Sequence, residues 1–122
     1  MSYLADTHIL LWWLNDDKSL TDEERTVLQN EAVWISTGAV WEIVIKVRIG
    51  KLKIPGNIKE VLNEQGFEIL DISLDHVLAL ETLEDLHSDP FDRIQIAQCI
   101  REGLTFMTRD KRIRQYRDLK VF

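Results

Sequence analysis

Short apolar segments typical of β-strands alternate with helical segments along the whole chain, and this alternation constrains the fold more than any other feature of the sequence. Strands are predicted at residues 2–5, 32–36, 67–72, 104–107 and 119–122. Strands that are separated by helices favour a mainly parallel sheet, here of about five strands, with helices on both faces. Because ligands of such sheets bind beyond the carboxyl ends of the strands, a functional site is expected at that edge.

Local capping signals give the helix boundaries. Helices are predicted at residues 7–14, 21–30, 39–49, 58–65, 75–83 and 90–102, with a further helical turn or two within residues 111–116. Thr21-Asp22-Glu23-Glu24 is a capping-box sequence, and Asp89 followed by Pro90 is typical of a helix start. Gly103 ends the last long helix. Since no repeat, low-complexity segment or linker interrupts the pattern, a single domain is predicted over residues 1–122.

The composition is that of an ordinary globular protein, with 45% hydrophobic and 30% charged residues among 122. No apolar run reaches the roughly 20 residues of a membrane span, and no signal-peptide pattern opens the chain, so a cytoplasmic protein without a membrane partner is expected. The single cysteine, Cys99, excludes an intrachain disulfide and lies in an apolar helical pattern typical of a core residue. The histidines, His8, His76 and His87, have no cysteine partners at the spacing of a zinc finger.

Charge is distributed unevenly along the chain. The net charge of −6 argues against binding nucleic acid through overall charge. Residues 101–122 nevertheless carry seven Lys and Arg against three acids, whereas the preceding 100 residues carry eight bases and eighteen acids. A basic C-terminal end could hold phosphates near an acidic site, although a solvated amphipathic helix explains the same charges.

Four acids fall directly after predicted strands or in the early turns of the helices that follow. They are Asp6, Glu42, Asp92 and Asp110. Each has a purely structural alternative. Asp6 and Asp110 are placed to cap helices, and Asp110 could also pair with Arg109. Glu42 could pair with Lys46, four residues on, and Asp92 could interact favourably with a helix dipole.

The conjunction of these acids favours a metal site. A parallel sheet would bring all four to one edge, where their carboxylates would repel one another unless cations neutralised them. Magnesium suits an open site of oxygen ligands. Such a site activates a water molecule for attack on a phosphodiester and stabilises the leaving oxygen.

Four segments, taken in order, resemble the signature of PIN-domain proteins, and most closely that of the VapC-type toxin ribonucleases. They are Leu4-Ala5-Asp6-Thr7-His8, Trp41-Glu42-Ile43-Val44-Ile45-Lys46 with Gly50-Lys51-Leu52, His87-Ser88-Asp89-Pro90-Phe91-Asp92-Arg93 with Ile96-Ala97-Gln98, and Thr108-Arg109-Asp110. The likeness spans residues 3 to about 116, and Asp-Pro-Phe-Asp-Arg is its most distinctive piece. One departure is visible, because relatives often carry a second serine near Ala39.

The resemblance implies a PIN-like three-layer α/β/α sandwich and a magnesium- or manganese-dependent endoribonuclease. The family's acidic quartet carries over to Asp6, Glu42, Asp92 and Asp110 as metal ligands and catalytic residues. Lower-ranked candidates for binding phosphate or ordering the carboxylates are Lys46, Arg93 and Arg109. The implied partners are RNA and a small VapB-like antitoxin that blocks the site, with a second copy of the chain as a further candidate. The apolar segments 9–14 and 40–49 are expected to receive the antitoxin.

Two other functions stay open at this point. One is a PIN-like module that binds an ion or a partner without catalysis, and the other is a metal-dependent phosphatase acting on small molecules. The sequence has no Gly-x-Gly-x-x-Gly motif and no Walker loop, so a nucleotide cofactor is unsupported. It also has no Gly-x-Ser-x-Gly elbow, so a serine hydrolase built on that motif is unsupported. Four tryptophans, at positions 12, 13, 34 and 41, lie in apolar segments and are expected to pack mostly in the core, with Trp12 or Trp13 as candidates for an exposed patch.

Overall fold

Five parallel strands form the centre of the protein in the computed structural model, which describes residues 1–122. The strands are β1 (Ser2–Ala5), β2 (Ala32–Ser36), β3 (Glu68–Leu70), β4 (Thr105–Met107) and β5 (Lys120–Val121). Their order across the sheet is β3-β2-β1-β4-β5, and every neighbouring pair is parallel. The central position of β1 explains why this short strand is almost completely apolar, since both of its edges and both of its faces are covered.

Six helices connect the strands. They are α1 (Thr7–Leu14), α2 (Asp22–Asn30), α3 (Thr37–Arg48), α4 (Ile58–Glu64), α5 (Leu74–Ala79) and α6 (Pro90–Glu102), and a 3₁₀ turn follows at Ile113–Gln115. The predicted capping box of α2 is present, with Thr21 and Glu24 each bonded to the other's backbone N–H. Helix α6 begins at the Asp89 cap and ends at Gly103, which has the left-handed φ of 70° that glycine tolerates.

The sheet has a separate apolar core on each face. Leu4 of β1 and Phe106 of β4 face the cluster formed with α6, whereas their neighbours Ala5 and Met107 face the cluster formed with α1 and α3. This alternation follows from the two-residue period of a strand. Cys99 is buried in the first of these cores, as expected. The predicted three-layer α/β/α arrangement and its parallel sheet of five strands are confirmed.

The boundaries differ from the sequence prediction mainly at the edges of the sheet. Strands β3 and β5 are shorter than residues 67–72 and 119–122 because each has a neighbour on one side only. Helix α3 begins earlier than predicted, since the Ser36 side chain accepts a hydrogen bond from the Gly38 N–H and caps it. Helix α5 ends at Ala79, where tighter turns replace the predicted helix as far as residue 83.

The burial of the tryptophans differs from the prediction at one position. Trp12 and Trp13 are partly buried against one core and Trp34 against the other, as expected. Trp41 is 61% exposed, so the expectation of core packing is wrong for this residue. The reason is its position on the face of α3 that points away from the sheet. None of the helices is long and apolar enough to cross a membrane.

Candidate functional site

A cavity of about 520 Å³ opens at the carboxyl edge of β1 and β4, where the sheet geometry predicts a site. Asp6 follows β1 directly, Asp110 follows β4 by three residues, and Asp92 lies in the first turn of α6. All three carboxylates line the cavity. The other polar and aromatic residues in its lining are His8, Trp12, His87, Asp89, Arg109 and Arg112. The sequence-predicted acids therefore converge on one space, apart from Glu42.

Asp6 is both a helix cap and an acid of the cavity. Its Oδ1 accepts a hydrogen bond of 2.8 Å from the Ile9 N–H, and its own N–H donates to the Met107 carbonyl, which keeps β1 and β4 paired at this edge. The side chain is only 5% exposed. Burial raises the pKa of Asp6, although the Thr108 hydroxyl and the Ile9 N–H oppose the rise. The structural and the functional interpretation of Asp6 are thus compatible.

Glu42 lies on α3, beside the cavity rather than in its lining. The residue is 7% exposed, and its Oε2 accepts a 2.9 Å bond from Lys46, which is the predicted i,i+4 pair. Its Oε1 is buried and has no hydrogen-bond partner. A buried carboxylate oxygen without a partner is costly, so a cation or a water molecule is the natural complement to it. The charge of Glu42 also reaches the cavity, because it contributes to the raised pKa of Asp92.

Asp92 and Asp110 lie close together in opposite electrostatic environments. Burial, followed by repulsion from Asp89, raises the pKa of Asp92 to about 6, and Asp6 and Glu42 add to the effect. By contrast, hydrogen bonds from Arg112 are the main reason that the pKa of Asp110 falls to about 2. Arg112 therefore favours the ionised form of Asp110, whereas burial and the neighbouring acids disfavour that of Asp92.

His87 joins these two acids, and sequence reasoning missed it. Its Nε2 lies 2.9 Å from Asp92 Oδ2 and 3.0 Å from Asp110 Oδ2, and the three ligand-type side chains have atoms within 4.8 Å of one another. The Asp89 N–H donates to His87 Nδ1 at 3.2 Å. Nδ1 must then carry the lone pair, which leaves Nε2 as the N–H that Asp92 and Asp110 share. In the sequence, His87 begins the segment that resembles the PIN-domain signature, two residues before the cap of α6, but that position gave no role to its side chain.

Arg109 and Arg112 bind different carboxylates. Arg109 is not the partner of Asp110, as one structural alternative had it, because Arg112 binds Asp110 instead. The Arg109 guanidinium donates hydrogen bonds to both carboxylate oxygens of Glu24 and lies 5.1 Å from the centre of the Trp12 ring. Arg109 still lines the cavity, so it remains near any phosphate bound there.

Lys46 and Arg93 lie away from the lining of the cavity. Lys46 is held by Glu42, and Arg93 donates to the backbone carbonyls of Glu84, at 2.9 Å, and His87, at 3.1 Å. Arg93 therefore fixes the loop that carries His87. Of these three candidates, only Arg109 lines the cavity, and Lys46 is paired with Glu42 beside it.

The donor set fits a hard divalent cation. Four acids line one cavity, Asp6, Asp89, Asp92 and Asp110, the Oε1 atom of Glu42 has no partner, and burial together with the neighbouring acids raises the pKa of Asp92. Oxygen ligands of this kind are those that magnesium and manganese prefer.

Comparisons with known proteins agree with this geometry. A family model described as the PIN domain matches residues 3–119. A search of curated protein sequences found no match. Among solved structures, the chain resembles VapBC2 from Rickettsia felis bound to a promoter DNA fragment, with a TM-score of 0.74 and 18% identity over 100% of this chain and 98% of that chain.

Two further solved structures have the same fold. A toxin–antitoxin complex from Klebsiella pneumoniae gives a TM-score of 0.67 and 21% identity over 98% of this chain and 95% of that chain. FitAcB from Neisseria gonorrhoeae gives a TM-score of 0.67 and 20% identity over 100% of this chain and 96% of that chain. At these identities the likeness is one of fold, over nearly the whole length of each chain.

Proposed function

The chain belongs to the PIN domain family, and on that basis we propose that it is a metal-dependent endoribonuclease and the toxin of a toxin–antitoxin pair. The observation that carries the proposal is the convergence of Asp6, Asp92 and Asp110 on one cavity at the carboxyl edge of the sheet, beside the unpartnered Oε1 of Glu42. The domain is proposed to comprise residues 1–122, and its site of action the cytoplasm, where cellular RNA is available.

The four acids divide the work of the site. Asp6, Asp92 and Asp110 are proposed to hold Mg²⁺ or Mn²⁺, and Glu42 to ligate it or to accept a proton from the attacking water. A bound divalent cation lowers the pKa of water and neutralises charge that develops on a phosphate. Asp6 is positioned by the Ile9 N–H, and Asp92 by His87 and the first turn of α6. These contacts fix the carboxylates before substrate binds, which reduces the reorganisation that catalysis needs.

RNA fits the rim of the cavity better than a small phosphate ester does. Arg109 and Arg112 supply guanidinium groups for phosphates, while His8 and Trp12, with ring centres 6.4 Å apart, offer aromatic surface for bases.

An antitoxin is the proposed partner, and α3 offers the surface for it. Ile9 and Leu10 of α1 are completely buried, so the expected contribution of residues 9–14 is limited to the helix's outer side. Helix α3 instead exposes an apolar face with Trp41 and Val44, which continues into an apolar groove of about 660 Å³ bordered by the segment after α3. The resemblance to toxin–antitoxin complexes supports an amphipathic antitoxin segment on this face.

A cleavage assay with two substrates tests the proposal. The purified protein is incubated with labelled RNA and with a chromogenic phosphate monoester, each with magnesium, with manganese and with excess chelator. Internal cleavage of RNA that depends on metal supports the proposal. Hydrolysis of the monoester alone indicates the phosphatase, and metal binding without cleavage of either substrate indicates the non-catalytic module.

A further inference from the structure

Every acceptor position of the Asp110 carboxylate is already used. Its Oδ1 accepts from the Arg112 backbone N–H at 2.9 Å and from Arg112 Nε at 3.2 Å. Its Oδ2 accepts from Arg112 Nη2 and from His87 Nε2, both at 3.0 Å. A carboxylate has about four lone-pair sites, so no oxygen site remains for a cation while these contacts persist.

Arg112 is the donor that can leave most easily. Its side chain is 62% exposed, and Asp110 is the only side chain or carbonyl that its guanidinium binds. Exposed ion pairs contribute little to stability and exchange readily. Arg109 differs in this respect, because Glu24 holds its guanidinium and the Trp12 ring lies against it. Of the two arginines that line the cavity, Arg109 is therefore held in place, whereas Arg112 can be released from Asp110.

We infer that Arg112 is a tethered counterion, which occupies Asp110 in the metal-free protein and is released to bind an RNA phosphate when a divalent cation takes Asp110. This inference rests on the proposed function. A guanidinium fork matches a phosphate as well as a carboxylate, so the same group can serve both partners. Arg112 lies in the lining that also contains Asp6 and Asp92, so a short movement of its side chain keeps it beside the bound substrate.

If a metal ion displaces Arg112 from Asp110, removal of Arg112 should strengthen metal binding and weaken RNA binding. Metal affinity rises, because the cation no longer competes with the guanidinium for Asp110. The KM for RNA also rises, because one phosphate contact is lost. General electrostatics predicts the same two signs for the loss of any nearby positive charge, so a matched control is needed. Lys111 is the adjacent residue, is exposed and makes no side-chain hydrogen bond or ion pair.

Calorimetric titration of Mg²⁺ and Mn²⁺ separates these explanations. Four proteins are compared: the wild type, Arg112→Gln, Lys111→Gln and Arg112→Lys, which keeps the charge but loses the fork. We expect the Arg112→Gln protein to bind metal about fivefold more tightly than the Lys111→Gln protein, which is the scale of an exposed ion pair. We expect the Arg112→Lys protein to bind metal more tightly than the wild type although its net charge is unchanged.

A second readout is the KM for labelled RNA at saturating metal, which should rise in the Arg112→Gln protein and change little in the Lys111→Gln protein. Equal metal affinities in the two glutamine variants would overturn the inference and leave the proposed function intact. A wild-type protein that binds neither metal would instead overturn the proposed function itself. Melting temperatures of the exposed-site variants, compared with the wild type, establish that all four proteins are folded.

Discussion

The imidazole of His87 lies at the centre of the site's hydrogen bonding. It receives the Asp89 N–H at Nδ1 and gives its Nε2–H to both Asp92 and Asp110. The imidazole therefore donates a hydrogen bond between two carboxylates and positions them. A metal-ligating Nε2 would need the opposite tautomer, which the Asp89 N–H opposes.

Replacing His87 should destabilise the metal-free protein. His87→Ala removes a buried donor that two carboxylates share, and the expected loss is about 1–3 kcal/mol. His87→Gln keeps an N–H donor at the end of the side chain and should recover part of that loss. Urea denaturation in the presence of chelator measures both variants. Equal stability of the His87→Gln and His87→Ala proteins would contradict a stabilising role for the shared N–H donor.

Replacing Asp92 should instead stabilise the metal-free protein. Its pKa in the folded protein is about 6, above its ordinary value, so the ionised carboxylate costs stability at neutral pH. Asp92→Asn should therefore stabilise the metal-free protein at pH 7.5 by about 1–2 kcal/mol. The advantage should shrink as the pH falls from 6 towards 4, because the wild-type carboxyl then takes up a proton. Urea denaturation across this range would contradict the account if the variant were less stable at pH 7.5.

At the scale of secondary-structure elements, the pair of Glu24 and Arg109 ties α2 to the segment after β4. Burial opposes ionisation of Glu24, but the hydrogen bonds from Arg109 and the Thr21 N–H outweigh it and lower the pKa. The contribution of the pair is thus present above the ordinary pKa of a glutamate and is lost as the pH falls through the depressed value.

Glu24→Gln should cost about 1 kcal/mol at pH 7, because the exposed guanidinium of Arg109 would lose the charge of its buried partner. Glu23→Gln is the matched control, since Glu23 lies in the same turn of α2 but is exposed. Thermal or urea unfolding at pH 7 and at pH 3 measures the difference, which should be smaller at the lower pH. A Glu24→Gln protein as stable as Glu23→Gln would remove the pair from the forces that hold α2.

The helix starts with the clearest local capping signals were predictable, whereas strand ends that depend on a distant partner were not, and the local Ser36 cap of α3 was overlooked. Thr21 and Asp89 cap α2 and α6, and both helices begin where the sequence predicts. The lengths of β3 and β5 are set by the strands beside them. His87 was missed for the same reason, since Asp110 is 23 residues further along the chain. Which arginine binds Asp110 depends on the turn after β4, which spacing does not reveal.

At the scale of the whole molecule, an acidic body carries its functional cluster beside a basic C-terminal segment. The body alone would repel RNA, so the cation and the nearby guanidinium groups must provide the local attraction. The same reasoning makes divalent metal a stabiliser of the folded state, because unfolding disperses Asp6, Asp92 and Asp110 and destroys the site.

Magnesium should raise the melting temperature. At about a hundredfold excess over Kd, preferential binding to the folded state contributes about 2.7 kcal/mol, which corresponds to roughly 10 °C for a domain of this size. The gain should be smaller in Asp110→Asn, which lacks one of the proposed ligands. Differential scanning fluorimetry measures both proteins. An unchanged wild-type melting temperature at saturating magnesium would argue against a preformed metal site.

The central claim is that Asp6, Glu42, Asp92 and Asp110 act as one metal-dependent site for RNA hydrolysis, and single-turnover cleavage by Asp6→Asn tests it most directly. Asp75→Asn is the matched control, because it makes the same change at an exposed carboxyl on α5. We predict that the Asp6→Asn protein stays folded and cleaves RNA at least about a hundredfold more slowly, while the Asp75→Asn protein cleaves at the wild-type rate. Wild-type cleavage by folded Asp6→Asn protein, or cleavage that survives excess chelator, would contradict the account.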